Sequence, residues 1–459
     1  MPNPKEIVDE KKIYRTLETT QNQPSRTIDR ILGKSLEKKG LTLEEASILL
    51  NVNDPAIVST MFDIAGKIKK EIYGDRLVLF APLYVSSFCI NNCSYCGFQS
   101  DNPEERKKLS LDEVKQEVEM LIDMGHKRLL VEFGEHPKEN PIDYVTEAIE
   151  TIYQTKKGRG EIRRVNVNIA ATSVENYKKL KSAGIGTYQL FQETYHRETY
   201  EKLHRNGPKS DFERQLFAHD RAFEAGIDDV GLGVLFGLYD YRFDVMALLS
   251  HAQYLDKKFG VGPHTFSVPR WQPAKTGDWK PEHPVSEDEL LKIIAVLRMT
   301  VPYTGMIIST RERKEIREKA FEIGISQTSA ASRTSPGGYT NESELEQFTL
   351  ADHRPLDKVV ESSLDRGAMP SFCTACYRRE RTGQKFMDLA KPGDIQMYCV
   401  PNSILTLSEY LIDYAPPTTR AKGERVLREH LARIENPNIM EEVKRRLIRI
   451  GQGERDLCF

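Results

Sequence analysis

The chain has 459 residues, 39% hydrophobic and 29% charged, a make-up that excludes collagenous, low-complexity and largely disordered classes. Lys and Arg number 66 against 68 Asp and Glu, a net charge of −2, so whole-chain electrostatics make no case for nucleic acid or an anionic membrane as partner. No run approaches the roughly 18 apolar residues of a spanning helix, and the start MPNPKEIVDEKK lacks the apolar stretch of a secretory signal. A cytoplasmic location is therefore expected, where the seven cysteines act as metal ligands or catalysts more often than as disulfides.

Residues 1–70 read as a helical, charged extension that covers the bottom of the following domain or lies along its side. From Leu77 onward, short β-rich runs alternate with helical patterns. The runs are Leu77 to Val85, Arg128 to Phe133, Arg164 to Ile169, Thr187 to Gln192, Asp229 to Val234, His264 to Val268, Gly305 to Ser309 and a weak one at Ile325 to Ser329. Eight such units predict an α/β fold, a complete (β/α)8 TIM-type barrel over residues 71–345. Ser110 and Glu113 form a capping box ahead of Val114, Val118, Leu121 and Ile122, and Gly125 ends that helix. Further ends fall at Ala183-Gly184, Ala225-Gly226 and Ile323-Gly324. The run PGGYTNES, from Pro336, breaks the period. Residues 346–459 are expected to form a helical C-terminal domain.

Directly after the first β-run comes SSFCINNCSYCGF, residues 86–98, in which Cys89, Cys93 and Cys96 are spaced C-x3-C-x2-C. Three thiolates fit a zinc site with its fourth position open. They equally fit a cubane iron–sulfur cluster with one iron free for an exchangeable ligand.

This spacing, with Tyr95 before the last cysteine and a barrel strand before the loop, resembles the radical S-adenosylmethionine (SAM) superfamily. The resemblance implies that the open iron chelates SAM and that the cluster's electron cleaves it to a 5′-deoxyadenosyl radical. It also implies a SAM site by strand order. Phe133-Gly134-Glu135 stands where the superfamily usually has Gly-Gly-Glu, so Glu135 is assigned to the SAM amine, with the first glycine missing. Glu193 follows the fourth strand as a polar SAM contact or a solvated loop carboxylate. Arg214 and Arg221 precede the fifth strand, one of them for the SAM carboxylate or both as surface charges.

Cys373, Cys376 and Cys399 form a second set, C-x2-C-x22-C. On ligand chemistry it suits an auxiliary 4Fe-4S cluster, or structural zinc with His353 or Cys458 as fourth ligand. Together with DDVGLGVLFGL from Asp229 and SVPR ending at Arg270, it makes residues 70–400 resemble the HydG-type tyrosine lyases, maturases of FeFe-hydrogenase. The 2-iminoacetate synthases of thiamine-thiazole synthesis (ThiH type) are similar across the barrel. A two-cluster electron carrier is the non-enzymatic alternative.

The resemblance implies cleavage of the L-tyrosine Cα–Cβ bond to p-cresol and dehydroglycine, then conversion of dehydroglycine to carbon monoxide and cyanide. It implies two 4Fe-4S clusters near the barrel's top, and a labile extra iron at the auxiliary cluster bound with free cysteine. It also implies a reductant such as ferredoxin or flavodoxin and a companion scaffold maturase. His264 is assigned to the extra iron, with a buried hydrogen-bonded histidine as the alternative. Arg311, in STRE with Ser309, is the first candidate for the tyrosine carboxylate and Arg270 the second, because a guanidinium binds carboxylate bidentately. Ser329 and Ser332 are placed on the path to the auxiliary cluster.

Overall fold

The computed structural model describes residues 3–275, 279–341 and 345–459; Glu342 and Ser343 of PGGYTNES lie outside them. Each of the eight β-runs forms a strand: β1 Arg76–Ser86, β2 Arg128–Phe133, β3 Arg164–Asn168, β4 Tyr188–Glu193, β5 Val230–Val234, β6 Thr265–Ser267, β7 Gly305–Ile308 and β8 Gln327–Ser329. All pair in parallel with their sequence neighbours. The pairing Val78↔Gln327, Leu79↔Thr328 and Phe80↔Ser329 joins β8 to β1 and closes the barrel.

Period-two alternation sets the two faces of each strand. Along β1, Leu77, Leu79, Ala81, Leu83 and Val85 pack outward into the main core, while Phe80, Pro82 and Tyr84 face the lumen. Phe80, Leu130 and Ile307 form an apolar layer inside the barrel. The Ser110–Glu113 capping box forms, with the Glu113 amide donating to Ser110 Oγ and the Ser110 amide to Glu113 Oε2 at 2.8 Å. Gly125 ends that helix in the left-handed region at φ 101°.

The N-terminal helices lie along the barrel's side. Helix Pro55–Tyr73 packs on helices Glu287–Thr300 and Lys314–Ile323, and Leu43–Leu50 packs on Tyr241–Phe259 and Glu287–Thr300. Arg298 is fully buried and ties the approaches to β7 and β8 together. Its guanidinium donates to the carbonyls of Pro302 at 2.6 Å, Thr304 at 2.8 Å and Gly324 at 2.7 Å. Arg298→Met is expected to cost about 3 kcal/mol or more, because three buried carbonyls lose their donor; a lowered urea midpoint checks this.

The region after β8 is not purely helical. A ninth strand, β9 Met369–Ser371, pairs in parallel with Arg76–Val78 at the start of β1. Helices Leu356–Asp365, Gly383–Ala390, Gln396–Asp413, Pro417–Ala432 and Pro437–Gly451 surround it. β9 runs beside the N-terminal end of β1, so Cys373 is delivered to the base of the barrel. The expectation of a second cluster near the top is thus corrected: a three-residue strand, too short to show periodicity, sets its place.

Candidate active site at the barrel mouth and a cysteine site at its base

Catalytic groups of parallel barrels gather at the C-terminal ends of the strands, and the loop after β1 lies there. Cys89, Cys93 and Cys96 line one cavity with Tyr95. The loop is stitched to its surroundings by backbone bonds from Ile90 N to Glu135 O at 2.8 Å and from Gly97 N to Gln347 O at 3.0 Å. Gly134 is required by close packing, since a Cβ there would sit 2.3 Å from the Phe88 carbonyl oxygen. The glycine that survives in Phe133-Gly134-Glu135 thus lets the end of β2 meet the cysteine loop.

Two ion pairs flank the cysteines. Glu135 Oε1 accepts from Arg214 Nη2 at 2.7 Å, and its Oε2 accepts from Asn91 Nδ2 at 2.6 Å. Arg214 Nη1 is buried and has no hydrogen-bond partner among the described residues. Glu193 Oε1 pairs with Lys209 Nζ at 2.7 Å. Burial alone would lower Lys209, but the Glu193 carboxylate beside it holds it above the ordinary lysine range. Glu193 has φ 70°, a strained conformation outside glycine. Buried Asp244 anchors the turn that follows, its Oδ1 accepting from Thr194 Oγ1 at 3.0 Å and the Tyr195 amide at 2.8 Å. The Tyr95 hydroxyl bonds His204 Nε2 at 2.8 Å.

Ser309 and Arg311, after β7, and Ser329 and Ser332, at and after β8, line the same cavity on the other side of β1 from β2. The Arg311 guanidinium lies 3.2 Å from the centroid of the Phe348 ring.

Three expected residues are not among those lining this cavity: Arg214, which meets it only through its ion pair with Glu135, and Arg270 and Arg221. Arg270 is committed to Glu312, through Nε at 3.0 Å and Nη2 at 2.5 Å, and to the Val285 carbonyl at 2.8 Å. Arg221 donates to the carbonyls of Thr172 at 2.8 Å and Arg214 at 2.6 Å. It thereby supports the backbone of Arg214. Both guanidiniums are met locally, as Arg214 is by Glu135, since a part-buried guanidinium satisfies its donors where it can. Ser329 and Ser332 line the upper cavity.

At the other end, Cys373 and Cys399 are buried and Cys376 half-buried. Arg76 acts electrostatically on all three thiols, and Tyr377, next to Cys376, stacks against Arg164. His264 is only 5% exposed, and among the described residues neither ring nitrogen has a hydrogen-bond partner. Its Nδ1 stands 3.8 Å from Asp229, which pairs with Arg164. Gln189, which lines the upper cavity, donates to Ser267 at 3.2 Å and to Thr265, beside His264, at 3.3 Å. Polar groups thus run down the lumen between the two ends.

All seven cysteines are free. Burial pushes the Cys96 thiol up to about 11 and the Cys399 thiol up to about 12. A thiolate in such a place needs a metal, which deprotonates a coordinating thiol outright. The Phe98 amide points at Cys96 Sγ and the Ala375 amide at Cys373 Sγ, each at 3.4 Å, hydrogen bonds of the kind that tune cluster sulfurs. Among the described residues no three His, Cys, Asp or Glu side chains converge on a single ion. A cubane brings its own sulfides and needs one cysteine for each iron it binds, so on ligand chemistry three thiols suit a 4Fe-4S cluster with one iron left without a cysteine.

Sequence reasoning missed Lys209, Glu132, Asn91 and Phe348. Asn91 sits inside C-x3-C; the others carry no motif.

A parallel barrel whose mouth holds a three-thiol loop between two acid–base pairs is the architecture of a radical SAM enzyme. Residues 83–250 match the Radical SAM superfamily and residues 267–368 the Biotin and Thiamin Synthesis associated domain. The 2-iminoacetate synthase of Salmonella typhimurium is 31% identical over 339 residues, 73% of this chain and 88% of that protein. Among solved structures, HydG, a maturase of the [FeFe]-hydrogenase, is 53% identical with a TM-score of 0.96, covering 99% of this chain and 100% of its own. The FeFe-hydrogenase maturase HydG of Carboxydothermus hydrogenoformans is 41% identical with a TM-score of 0.86, covering 97% and 100%. The chain belongs to the HydG maturases of the radical SAM superfamily. No helix among the described residues is long and apolar enough to cross a membrane.

Proposed function

We propose that the protein is a radical SAM lyase that cleaves the Cα–Cβ bond of L-tyrosine to p-cresol and dehydroglycine. Dehydroglycine is then converted at the base of the barrel to carbon monoxide and cyanide, for assembly of the FeFe-hydrogenase active-site cluster. The observation that carries this reading is the pair of cysteine triads at opposite ends of one lumen. Alignment with a HydG maturase over 99% of the chain supports it; the 2-iminoacetate synthase alignment leaves about a quarter of the chain unmatched.

Cys89, Cys93 and Cys96 hold one 4Fe-4S cluster and Cys373, Cys376 and Cys399 the other. When bound, the upper cluster supplies the electron that splits SAM into methionine and a 5′-deoxyadenosyl radical. The chain's own residues orient the partners. Glu135 accepts from the SAM amine and Arg214 donates to its carboxylate, side by side as the two charges of an amino acid require. Glu193, Lys209 and Tyr95 bound the rest of the SAM site. Arg311, with Ser309 two residues before it, takes the tyrosine carboxylate. Tyr84, Phe98 and Leu345 pack over the cysteine loop and keep water from a reactive radical. The hydrogen-bonded groups of Gln189, Thr265 and Ser267 suit the passage of a small polar product. His264 binds the extra iron, which is cargo, together with free cysteine. A ferredoxin or flavodoxin supplies electrons, and a scaffold maturase accepts the iron carbonyl–cyanide product.

The test is anaerobic: reconstitute with iron and sulfide, add SAM, dithionite and tyrosine, and assay p-cresol, cyanide and carbon monoxide together. All three are expected. p-Cresol with neither diatomic would favour a 2-iminoacetate synthase, and SAM cleavage without p-cresol would sink tyrosine as the substrate.

A further inference from the structure

An α-amino acid carries two opposite charges on one carbon, and Arg311 answers only one of them. The upper cavity also holds an uncommitted acid. Glu132 follows Leu130 on the lumen face of β2, in register with Tyr84 of β1, and lines the same cavity as Arg311. Among the described residues its carboxylate has a single hydrogen bond, from Asn168 Nδ2 at a long 3.4 Å, and no ion pair. Glu135 and Glu193, the other acids of the cavity, are already joined to Arg214 and Lys209. Tyr84 feels the charges of both Glu132 and Arg311, and its hydroxyl is tied to Gln347 at 2.7 Å. The unspent acid and a guanidinium with no ion pair among the described residues therefore share one stretch of wall around Tyr84.

We propose that Glu132 receives the α-ammonium of the substrate while Arg311 holds its α-carboxylate, so that the pair reads a zwitterionic amino acid at the barrel mouth. This rests on the reading of the upper cavity as the tyrosine site. Burial holds the Glu132 carboxyl up to about 8, against the opposing pull of Asn168 and Arg311. An arriving ammonium offsets that desolvation, as a charge-assisted hydrogen bond in a dry site does. Glu132 and Arg311 need no rearrangement of other ion pairs to do this.

The test separates the two charges with three probes: L-tyrosine, tyramine, which lacks the carboxylate, and 3-(4-hydroxyphenyl)propanoate, which lacks the amine. Binding to the cluster-loaded enzyme is measured by calorimetry without reductant, alongside the tyrosine KM for p-cresol formation. Glu132→Gln is expected to weaken tyrosine and tyramine by about tenfold or more and to leave the propanoate within about twofold. Glu132→Asp, which keeps the charge, should recover part of the tyramine affinity, and it serves if the glutamine variant does not fold. Equal weakening of all three probes, or of none, overturns the proposal. Arg311→Gln should do the converse, weakening tyrosine and the propanoate but not tyramine. If the propanoate is indifferent to Arg311→Gln, the tyrosine site itself is misplaced, whatever Glu132 does.

Discussion

Cys93→Ser is expected to abolish reductive cleavage of SAM, lowering 5′-deoxyadenosine, p-cresol, cyanide and carbon monoxide together by roughly 1,000-fold or more, some 4 kcal/mol of barrier. Cys93 is the most enclosed thiol of the mouth at 6% exposure, so no water or neighbouring side chain can replace it. Serine is nearly the same size and keeps the loop's backbone bonds, but its hydroxyl is neither a soft ligand nor ionised at neutral pH. The fold should survive, because the loop is also held by Ile90, Gly97 and Ser100 amides bonded to backbone carbonyls. Chromatography of 5′-deoxyadenosine, with iron analysis, checks both halves. Iron should fall by one cluster's share, and a variant retaining substantial SAM cleavage would show that Cys93 is not a ligand.

Cys376→Ser is expected to do something different: p-cresol formation stays within about twofold while cyanide and carbon monoxide fall by about 100-fold or more, the scale on which metal-site variants act. The separation is geometric. Cys376 lies beyond β9, which pairs with the first three residues of β1, whereas the SAM cavity opens beyond the last. Cys376 is half-buried, so the substitution opens little core. Simultaneous assay of the three products is decisive. A parallel loss of p-cresol would mean that the two ends do not work separately, and full retention of cyanide would remove Cys376 from the second site.

Much of this protein is legible in order along the chain. All eight barrel strands were visible because each is a short β-rich run closed off by a helical pattern, and the β2 run Arg128 to Phe133 coincides with the strand. The Ser110 and Gly125 helix signals acted locally and held in the structure. The cysteine spacings were equally plain, since ligands of one cluster on one loop must be near in sequence. Glu135, Glu193, Ser309 and Arg311 line the mouth cavity because in a barrel the residues at or just after a strand's end stand there, whereas Arg214, on a helix before β5, meets it only through Glu135.

What the sequence left open shares a cause. Arg270 and Arg221 look like Arg311 in sequence, but in the structure Glu312 and one backbone carbonyl hold the first, and two carbonyls the second. Glu132 hid inside a strand, where alternation says only that it faces inward or outward, not that its neighbours leave it unpaired. The sequence by itself determined the closed parallel barrel and the two three-thiol sets, because periodicity and loop spacing are local properties of the chain. Only the tertiary structure decided that the two sets stand at opposite ends, and which charges remain free between them. Those outcomes depend on a three-residue strand pairing with β1 across nearly 300 positions of sequence, and on competition among donors and acceptors that meet only when the barrel closes.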